Sequence, residues 1–585
     1  MSRPWTDEQK EAINSPTFNI LVSAGAGSGK TAVLTERVIT LLNKNINVNE
    51  LLVLTFTNAA AAEMKERIRK AIKKNENLKE QLDLLDSAYI TTFDSYALSL
   101  VKKYHYLLGI SSNVNIVNEA ALKLEKYKII DEVMDSRYEK REENFVNLIK
   151  RLCLKDDDDF KELIFEINNK LDLLVDKEEF LDNYKYSLMD SKVKNIWKKY
   201  FDEILIKLND IRELYYDIEN SLESKEDEEL YEVFSSMLEI IINSDNYDDI
   251  AKNINFDLTK VRKTKNINEI FINNKKKIGA IRNEIKELIS CDSKEKILKA
   301  LEENFKYEAE IMDIVKEVNN KINSLKYNNE MFEFIDIAKL AIKLVKNNED
   351  VCLEIKNSIK EIMLDEYQDT SDLQEILISY ISNNNVYMVG DIKQSIYRFR
   401  NANPKIFLDK YNSYKNDSTK GKVIDLMRNF RSRKEVLDDI NIMFNEIMNK
   451  EYGGIDYSKG HEFIHGNMLY NDNEFSDQSN NLEIYNYTRE KNCPFSSEEI
   501  DAFVIGKDIQ DKIKNKYMVF DKDEGIKRKM QYSDITILID RKVSFEVYQK
   551  VFEYLKIPLT LYKNSNLTLS NELLCFKNIY KLILK

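Results

Sequence analysis

The stretch "FNILVSAGAGSGKT", residues 18–31, decides the fold of this chain. Its first half is an apolar run typical of a buried strand, and a helix is expected from Gly29. The turn between them, "AGAGSGKT" at 24–31, has small residues that let backbone N–H groups approach phosphate oxygens. In such a loop the Lys30 amine reaches the β and γ oxygens, and the Thr31 hydroxyl ligates Mg²⁺. The sequence therefore predicts a site for a nucleoside triphosphate and Mg²⁺.

The loop departs from the usual glycine pattern only at its first position, where we regard Ala24 as a tolerated variant. The predicted nucleotide-binding residues of the loop are Ala24, Gly25, Ala26, Gly27, Ser28, Gly29, Lys30 and Thr31.

Apolar runs alternate with helical segments around this loop. The runs at 18–24, 51–56 and 88–93 are separated by predicted helices, and those at 361–366 and 385–391 resume the pattern after a long interval. Strands that alternate with helices form a parallel sheet in an α/β fold. We therefore predict an α/β domain with a parallel sheet and a P-loop.

Lysine- and glutamate-rich segments with helical spacing fill the interval, and they predict an inserted helical domain. A second α/β unit is expected from about 405, with strands at 421–426, 481–487 and 534–540. The predicted domains are a first α/β domain at 1–110 and 331–404, the helical insertion at 111–330, and a second, incomplete α/β domain at 405–585.

The last segment, "NIYKLILK" at 578–585, lies inside a predicted helix with no glycine or polar tail to close it. We therefore expect the polypeptide to be incomplete.

Composition limits the class of protein. The 585 residues carry 88 Lys and Arg against 101 Asp and Glu, a formal net charge of −13. That balance disfavours a wholly basic nucleic-acid coat but leaves room for a local basic channel. Five scattered cysteines and three histidines do not support a zinc or iron–sulfur site. With no long apolar run and no signal-peptide pattern, we expect a cytoplasmic protein without membrane segments.

Two carboxylates follow the apolar run of "IMLDEYQDT", residues 362–370. Ligands gather at the carboxyl ends of parallel strands, so Asp365 would hold Mg²⁺ and Glu366 would orient or deprotonate an attacking water. Alone, such a pair is usually a solvated turn. Together with the phosphate loop it predicts the hydrolytic half of an ATPase.

The stretch "MVGDIKQSIYRFRNANPKIF", residues 388–407, joins a predicted strand to a run of aromatic and basic residues. On its own it allows two interpretations. Tyr397 and Phe399 either pack in the core of a strand-to-helix connection or contact a ligand at the surface.

Several motifs together resemble the superfamily 1 helicases of the UvrD/Rep kind. They are "WTDEQKEAI" (5–13), "TFTNAAAAEM" (55–64), "TTFDSYAL" (91–98), "DEYQDT" (365–370), "GDIKQSIYRFRNA" (390–402) and "LMRNFRS" (426–432). The resemblance covers about 1–110 and 330–585 in order and spacing. It implies a RecA-like motor domain with a P-loop, an incomplete second RecA-like domain, and ATP hydrolysis coupled to movement along DNA.

The resemblance implies roles for single residues. Gln9 would read the adenine base, Gln394 would sense the γ-phosphate, and Arg431 would reach that phosphate from the second motor domain. The implied DNA-contacting residues are Phe56, Thr57, Asn58, Phe93, Tyr397, Phe399 and Arg400. Stacking and phosphate contact would then hold single-stranded DNA.

Within this group the Lys393-Gln394 pair, the run after it and the large insertion look most like AddA, the helicase–nuclease subunits of bacterial double-strand-break processing complexes. This implies an AddB-like partner subunit. UvrD-type proteins usually have a tryptophan where Phe399 stands. We expect the later motor motifs and the nuclease domain of AddA to be absent from this chain, and Ala32, where some relatives have arginine, to make nucleotide affinity modest.

Three other readings remain open: a RecB-like or other UvrD-like helicase, a DNA-binding or assembly subunit with a vestigial ATP site, and an ATPase switch acting on protein partners. The DNA-contact motifs disfavour the last. Intact Lys30, Asp365, Glu366, Gln394 and Arg431 argue against a vestigial site.

Overall fold

The computed structural model describes residues 4–117, 119–189, 191–258, 267–450, 454–467, 481–489, 493–521, 524–561 and 579. The chain divides into two compact units. The first consists of Met1–Ser23 and Thr31–Ile424, and the second of Ala24–Lys30 and Asp425–Lys585.

A six-stranded sheet forms the centre of the first unit, in the order β3-β2-β6-β7-β1-β8. The strands from the start of the chain are β1 (Ile20–Ala24), β2 (Leu51–Thr55), β3 (Tyr89–Thr92), β4 (Asn115–Ile116), β5 (Met331–Phe332), β6 (Glu361–Leu364), β7 (Val386–Gly390) and β8 (Lys422–Leu426). The pairs β1–β7, β2–β3, β2–β6 and β6–β7 are parallel, which confirms the predicted α/β fold.

Parallel pairing brings the carboxyl ends of these strands to one edge of the sheet. The phosphate loop follows β1, Phe56 follows β2, Phe93 follows β3, Asp365 follows β6 and Asp391 follows β7. The predicted functional segments of the first unit that begin at Phe56, Phe93, Asp365 and Asp391 therefore lie at the same edge of the sheet.

Threonine side chains cap the N-termini of three helices in the first unit. Thr6, Thr57 and Thr92 each accept a hydrogen bond from a first-turn backbone N–H, as helix N-caps do. The helices before the insertion are α1 (Asp7–Asn14), α2 (Lys30–Leu42), α3 (Asn58–Lys73), α4 (Gln81–Leu84), α5 (Phe93–Lys103) and α6 (His105–Leu108).

The predicted helical insertion is present as one excursion from the first unit. Its helices are α7 (Glu119–Lys140), α8 (Glu143–Leu152), α9 (Asp158–Leu171), α10 (Lys177–Met189), α11 (Ser191–Asn220), α12 (Lys225–Ile242), α13 (Tyr247–Asn253), α14 (Glu269–Leu288) and α15 (Lys294–Asn329). The chain enters through β4 and leaves through β5, and these two strands pair in parallel. The insertion has two apolar cores, one among α7 to α10 with α15 and one centred on α11 to α14.

After the insertion the first unit continues with α16 (Phe334–Asn347), α17 (Glu349–Ser358), α18 (Asp372–Ile381) and α19 (Pro404–Asn416). Buried side chains of α5, α16 and α18 pack against the sheet and form the main core. This core fixes the strands whose ends carry the predicted site.

The second unit contains α20 (Lys434–Ile447), α21 (Ser497–Lys514) and α22 (Phe545–Tyr554), with short strands β9 (Arg428–Asn429), β10 (Ile464–His465), β11 (Met518–Asp521) and β12 (Ile526–Lys529). Helices α21 and α22 share an apolar core that includes Ala502, Ile509 and Phe552. Strands β11 and β12 form an antiparallel hairpin.

Three strand predictions for this region need correction. Residues 421–426 do form a strand, but it is β8, the edge strand of the first sheet. Residues 481–487 and 535–540 form no sheet, although Ile535, Ile537 and Ile539 do pack against the core of α21 and α22. Alternation predicts which side chains face a core, whereas a strand also needs a partner to pair with. Apart from Ile579, the predicted terminal helix lies outside the described residues.

Among the helices that the structure describes, none combines the length and the apolar character needed to cross a bilayer.

Candidate nucleotide and nucleic-acid sites

The phosphate loop adopts a conformation that glycine makes possible. Gly27 has φ +70° and Gly29 has φ +88°, values that residues with a Cβ rarely adopt. The backbone N–H of Ser28 donates to the carbonyl of Gly25, 3.2 Å away, which closes a tight turn. Helix α2 begins at Lys30, so the loop ends at a helix N-terminus, a favourable place for an anion.

Asn429, which the sequence analysis did not single out, packs on this loop within the second unit. Its Nδ2 donates to the carbonyl of Ala26 at 2.7 Å, and its Oδ1 accepts from the N–H of Arg431 at 2.9 Å. A Cβ built on Gly27 would lie 2.7 Å from this amide and 2.8 Å from Cβ of Arg431. One buried amide thus joins the phosphate loop to the predicted γ-phosphate arginine, whose own side chain is exposed.

Asp365 and Glu366 follow β6 in the first unit. Glu366 has φ +52°, a left-handed conformation that is uncommon outside glycine and often found at functional sites. Its Oε2 accepts a hydrogen bond from Nε2 of Gln368 at 2.8 Å. The backbone N–H of Asp365 donates to the carbonyl of Leu54, which ties the start of this turn to β2.

A chain of hydrogen bonds connects Glu366 to Gln394. Oε1 of Gln368 accepts from the N–H of Asp391 at 2.9 Å, and Oδ2 of Asp391 accepts from Nε2 of Gln394 at 2.8 Å. Gln368 and Asp391 are each only 1% exposed. The structure therefore brings Glu366 and Gln394 into one network through two polar residues that the sequence analysis missed. Their place inside the "DEYQDT" and "GDIKQ" motifs was the available signal.

Gln9 lies in the first turn of α1 and is 5% exposed. Its Oε1 accepts from the N–H of Thr6 at 3.0 Å, while Oγ1 of Thr6 accepts from the N–H of Gln9. This capping box fixes the orientation of the Gln9 amide.

Three aromatic rings and Arg400 form a cluster in the segments that follow β2 and β7. The rings of Phe56 and Tyr397 have centroids 4.6 Å apart, and those of Tyr397 and Phe399 are 5.8 Å apart. The guanidinium of Arg400 lies 5.5–5.9 Å from the centroids of all three rings. Phe399 is 77% exposed, so the structure contradicts core packing for this ring.

A pocket of about 810 Å³ adjoins this cluster in the first unit. Phe56, Asp94, Arg398 and Arg400 contribute to its walls, and so does Phe334 at the exit of the insertion. Burial raises the pKa of the Asp94 carboxyl above its usual value. The pocket offers both aromatic and charged surface to a ligand.

The remaining predicted DNA contacts fall in different environments. Phe93 lines the pocket, yet it is 7% exposed and belongs to the main core, so the structure favours a packing role for it. Thr57 and Asn58 are exposed at the N-terminus of α3. There the Thr57 hydroxyl already accepts from the N–H of Ala60 at 3.1 Å.

The side chains expected at the nucleotide site would hold Mg²⁺ only together with oxygens of the bound nucleotide. Within the described part of the chain, no group of three or more His, Cys, Asp or Glu side chains could hold a metal ion. Mg²⁺ in nucleotide sites is commonly held by one or two protein oxygens plus phosphates and water. The Asp365 carboxylate and the Thr31 hydroxyl are oxygen donors of the kind that such a site uses.

Comparison with known proteins agrees with these features. Residues 5–415 match the family described as UvrD/REP helicase N-terminal domain. The chain is 32% identical to an ATP-dependent helicase/nuclease subunit (AddA) of Clostridium botulinum, over 92% of this chain and 48% of that protein. Proteins of the same name from Clostridium beijerinckii and Lachnoclostridium phytofermentans are 29% and 32% identical, over 92% and 86% of this chain and 48% and 40% of their own lengths.

The chain thus spans about half the length of the curated relatives it matches. The family match runs through the phosphate loop, the Asp365–Glu366 pair and the segment around Gln394, and it covers well over half of the chain. This chain belongs to the UvrD/REP helicase family.

Proposed function

We propose that this chain is the ATP-driven motor part of a DNA helicase or translocase. The observation that carries the proposal is the network from Glu366 through Gln368 and Asp391 to Gln394, which lies three residues before the aromatic cluster. A carboxylate suited to activating water is thereby connected to a surface suited to single-stranded nucleic acid. Such a connection is what an enzyme needs to couple hydrolysis to movement on DNA.

In the proposed reaction ATP is the substrate, and each group has one task. Gln9 hydrogen-bonds the adenine, while Lys30 and the N–H groups of the loop from Ala24 to Thr31 hold the phosphates. Thr31 and Asp365 would hold Mg²⁺, which supplies charge neutralisation when bound. Glu366 orients the attacking water and accepts its proton.

Two further residues respond to the γ-phosphate in this proposal. Gln394 senses its presence, and Arg431 stabilises the charge that develops during transfer. Arginines in that role contribute on the order of 10³-fold or more to hydrolysis. The hydrogen bond of Asn429 to the N–H of Arg431 would keep that segment in register with the loop.

Single-stranded DNA is the proposed track. The exposed ring of Phe399 and the half-buried rings of Phe56 and Tyr397 would stack on bases, and Arg400 would contact phosphate or a ring face. Thr57 and Asn58, at the N-terminus of α3, would contact the sugar–phosphate backbone of the DNA. Because Gln394 and Tyr397 are separated by two residues, a shift at the γ-phosphate would move the DNA contacts directly.

For the larger assembly we propose an AddA-like protein that acts in the cytoplasm in double-strand-break repair and recombination with an AddB-like partner. The relatives named as helicase/nuclease subunits support this proposal through their identity along most of this chain.

The test measures ATP hydrolysis by the protein expressed from its whole gene, with and without a single-stranded oligonucleotide. We expect stimulation by DNA, loss of turnover in Lys30→Ala, and displacement of a fluorescent strand from a duplex. ATP binding without any DNA-stimulated hydrolysis would instead support the alternative of a DNA-binding or assembly subunit with a vestigial ATP site.

A further inference from the structure

Arg37 is a fully buried arginine that the proposed reaction does not use. It lies on α2, seven residues after Lys30, and is 0% exposed. Its Nε and Nη2 donate to the two carboxylate oxygens of Glu361 at 2.5 and 2.8 Å. Glu361, also 0% exposed, is the first residue of β6, the strand that leads to Asp365.

The remaining nitrogen of the guanidinium holds the end of α1. Nη1 of Arg37 donates to the carbonyl oxygens of Ala12, Ile13 and Ser15 at 3.2, 3.3 and 3.0 Å. The last carbonyls of a helix have no partner within the helix, and a cation there is favourable. Arg37 therefore satisfies the carboxyl end of α1 with a group anchored in the sheet.

Tyr387, on β7, completes the arrangement. Its ring centroid lies 4.3 Å from the guanidinium carbon of Arg37, and its hydroxyl donates to the carbonyl of Ala12 at 3.2 Å. The end of α1 is thus hydrogen-bonded to residues of two elements, α2 and β7, and through Glu361 to a third.

Stability alone is a weak explanation for such a pair. Taking an arginine and a glutamate out of water is costly, and apolar side chains of similar volume are often at least as stabilising. Burial raises the pKa of the Glu361 carboxyl, and the hydrogen bonds from Arg37 oppose that rise. What the pair provides beyond packing is a fixed geometry, since the planar guanidinium makes three hydrogen bonds to the end of α1 and two to Glu361.

Fixing the end of α1 also fixes Gln9. Ile13 lies four residues after Gln9, so both are on one face of a helix of only eight residues. The capping box at Thr6 secures the other end of the same helix. Helix α1, which carries Gln9, is therefore held at both ends. Its position is fixed relative to α2, which carries Lys30, and to β6, which leads to Asp365.

We propose that Arg37, with Glu361 and Tyr387, is the positioning group that sets the nucleobase specificity of the ATP site through Gln9. This inference rests on the proposed function, in which Gln9 reads the base. A glutamine amide can bond the adjacent donor and acceptor of adenine, N6 and N7, at the same time, and guanine has a carbonyl in place of the N6 donor. Discrimination between the two requires the amide to stay in one place.

The test compares affinities for MgATP, MgGTP and magnesium tripolyphosphate, measured by competition with a fluorescent nucleotide. In Arg37→Lys, which keeps the charge but loses the planar fork, the preference for ATP over GTP should fall about three- to tenfold, as expected for a misplaced hydrogen bond. Tripolyphosphate affinity should stay within about twofold of wild type, because only base recognition is affected. Tyr387→Phe, which removes one hydroxyl, gives a smaller change in the same direction in a protein that folds.

The matched control is Arg137→Lys in the insertion. Arg137 bonds Glu310 at 2.7 Å and Glu317 at 2.8 Å, and it is also largely buried. Its substitution should lower the melting temperature without changing the ATP-over-GTP ratio. In Gln9→Ala the ratio should already be low, and adding Arg37→Lys should lower it no further, because the two residues act in series.

The outcomes separate the inference from the function it rests on. An unchanged ratio in Arg37→Lys, with only a lower melting temperature, would overturn the positioning role while leaving the ATP site intact. A further fall in the double variant would overturn the action through Gln9. A wild-type protein that binds ATP and GTP equally would refute base reading by Gln9, and one that binds no nucleotide would refute the proposed function itself.

Discussion

Glu366, the carboxylate proposed to act in hydrolysis, and the aromatic cluster lie at the same edge of one sheet, yet they are held in opposite ways. Glu366 is bonded to Gln368, and the two residues that continue the network toward Gln394 are buried almost completely. Phe399 is 77% exposed, and the rings of the cluster are held by one another and by Arg400. A group that activates water must keep one position, whereas a surface that releases and regains bases must adapt. The difference in burial matches those two requirements.

The largest effect is expected from substitutions of the residues that are proposed to act directly on ATP. Glu366→Gln keeps the size of the side chain and removes the proton acceptor, so kcat should fall by about 10² to 10⁴ while ATP affinity is retained. Lys30→Ala should instead weaken ATP binding, and turnover with it, because the amine is proposed to contact phosphate. Steady-state hydrolysis and equilibrium nucleotide binding check both variants. Equal loss of binding in the two would contradict the assignment of these roles.

The next effect concerns the middle of the network. Gln368→Leu would leave both the Glu366 carboxylate and the N–H of Asp391 without their present partner, so kcat should fall by roughly 30- to 150-fold, or about 2 to 3 kcal/mol. ATP KM and DNA affinity should change little. Gln81→Leu is the matched control, because Gln81 also accepts a backbone N–H, that of Val48, but far along the sequence from these motifs. Similar losses in both variants would indicate a general effect of a missing glutamine.

A smaller effect is expected on the exposed side. Tyr397→Ala or Phe399→Ala should weaken single-strand binding by about 1 to 2 kcal/mol, toward the low end for base stacking because the rings already contact one another. Fluorescence anisotropy with a labelled oligonucleotide measures this loss. Tyr106→Ala removes another exposed ring and should leave binding unchanged. A Phe399→Ala protein that melts earlier but binds DNA normally would show that the ring serves stability.

How much of the structure could be predicted from the sequence depends on whether a feature is marked by a local motif or by a partner distant in the sequence. Strands β1, β2, β3, β6 and β7 were predictable because each is a short apolar run followed by a recognisable polar motif. Roles for Glu366, Gln394 and Lys30 could be proposed from the sequence because the expected chemistry requires those residue types at those positions.

Residues that act through a partner distant in the sequence were not predictable. Gln368 and Asp391 pair across 23 positions, and Arg37 and Glu361 across 324. No local pattern marks such pairs, because neither partner shows its burial without the fold. Phe93 shows the opposite error, since an aromatic residue inside a DNA-contact motif can still face the core. The strand predictions at 481–487 and 534–540 were wrong for a further reason, because alternation without a neighbouring strand gives no sheet.

The smallest predicted effect extends the comparison to the insertion, where Lys177, the first residue of α10, is 6% exposed. Burial lowers the pKa of Lys177 to about 8, and its contact with Asp172, 2.7 Å away, only partly compensates. The unfolded chain has a lysine pKa near 10.4, so between these values the unfolded state binds more protons than the folded state. The contribution of Lys177 to the free energy of unfolding should therefore rise with pH, by about 1 kcal/mol from about pH 7 to about pH 9. Urea unfolding of the wild type and of Lys177→Met at both pH values measures it, and the variant should lack the increment. An equal pH dependence in both proteins would contradict this prediction, because it would show that Lys177 keeps its ordinary pKa.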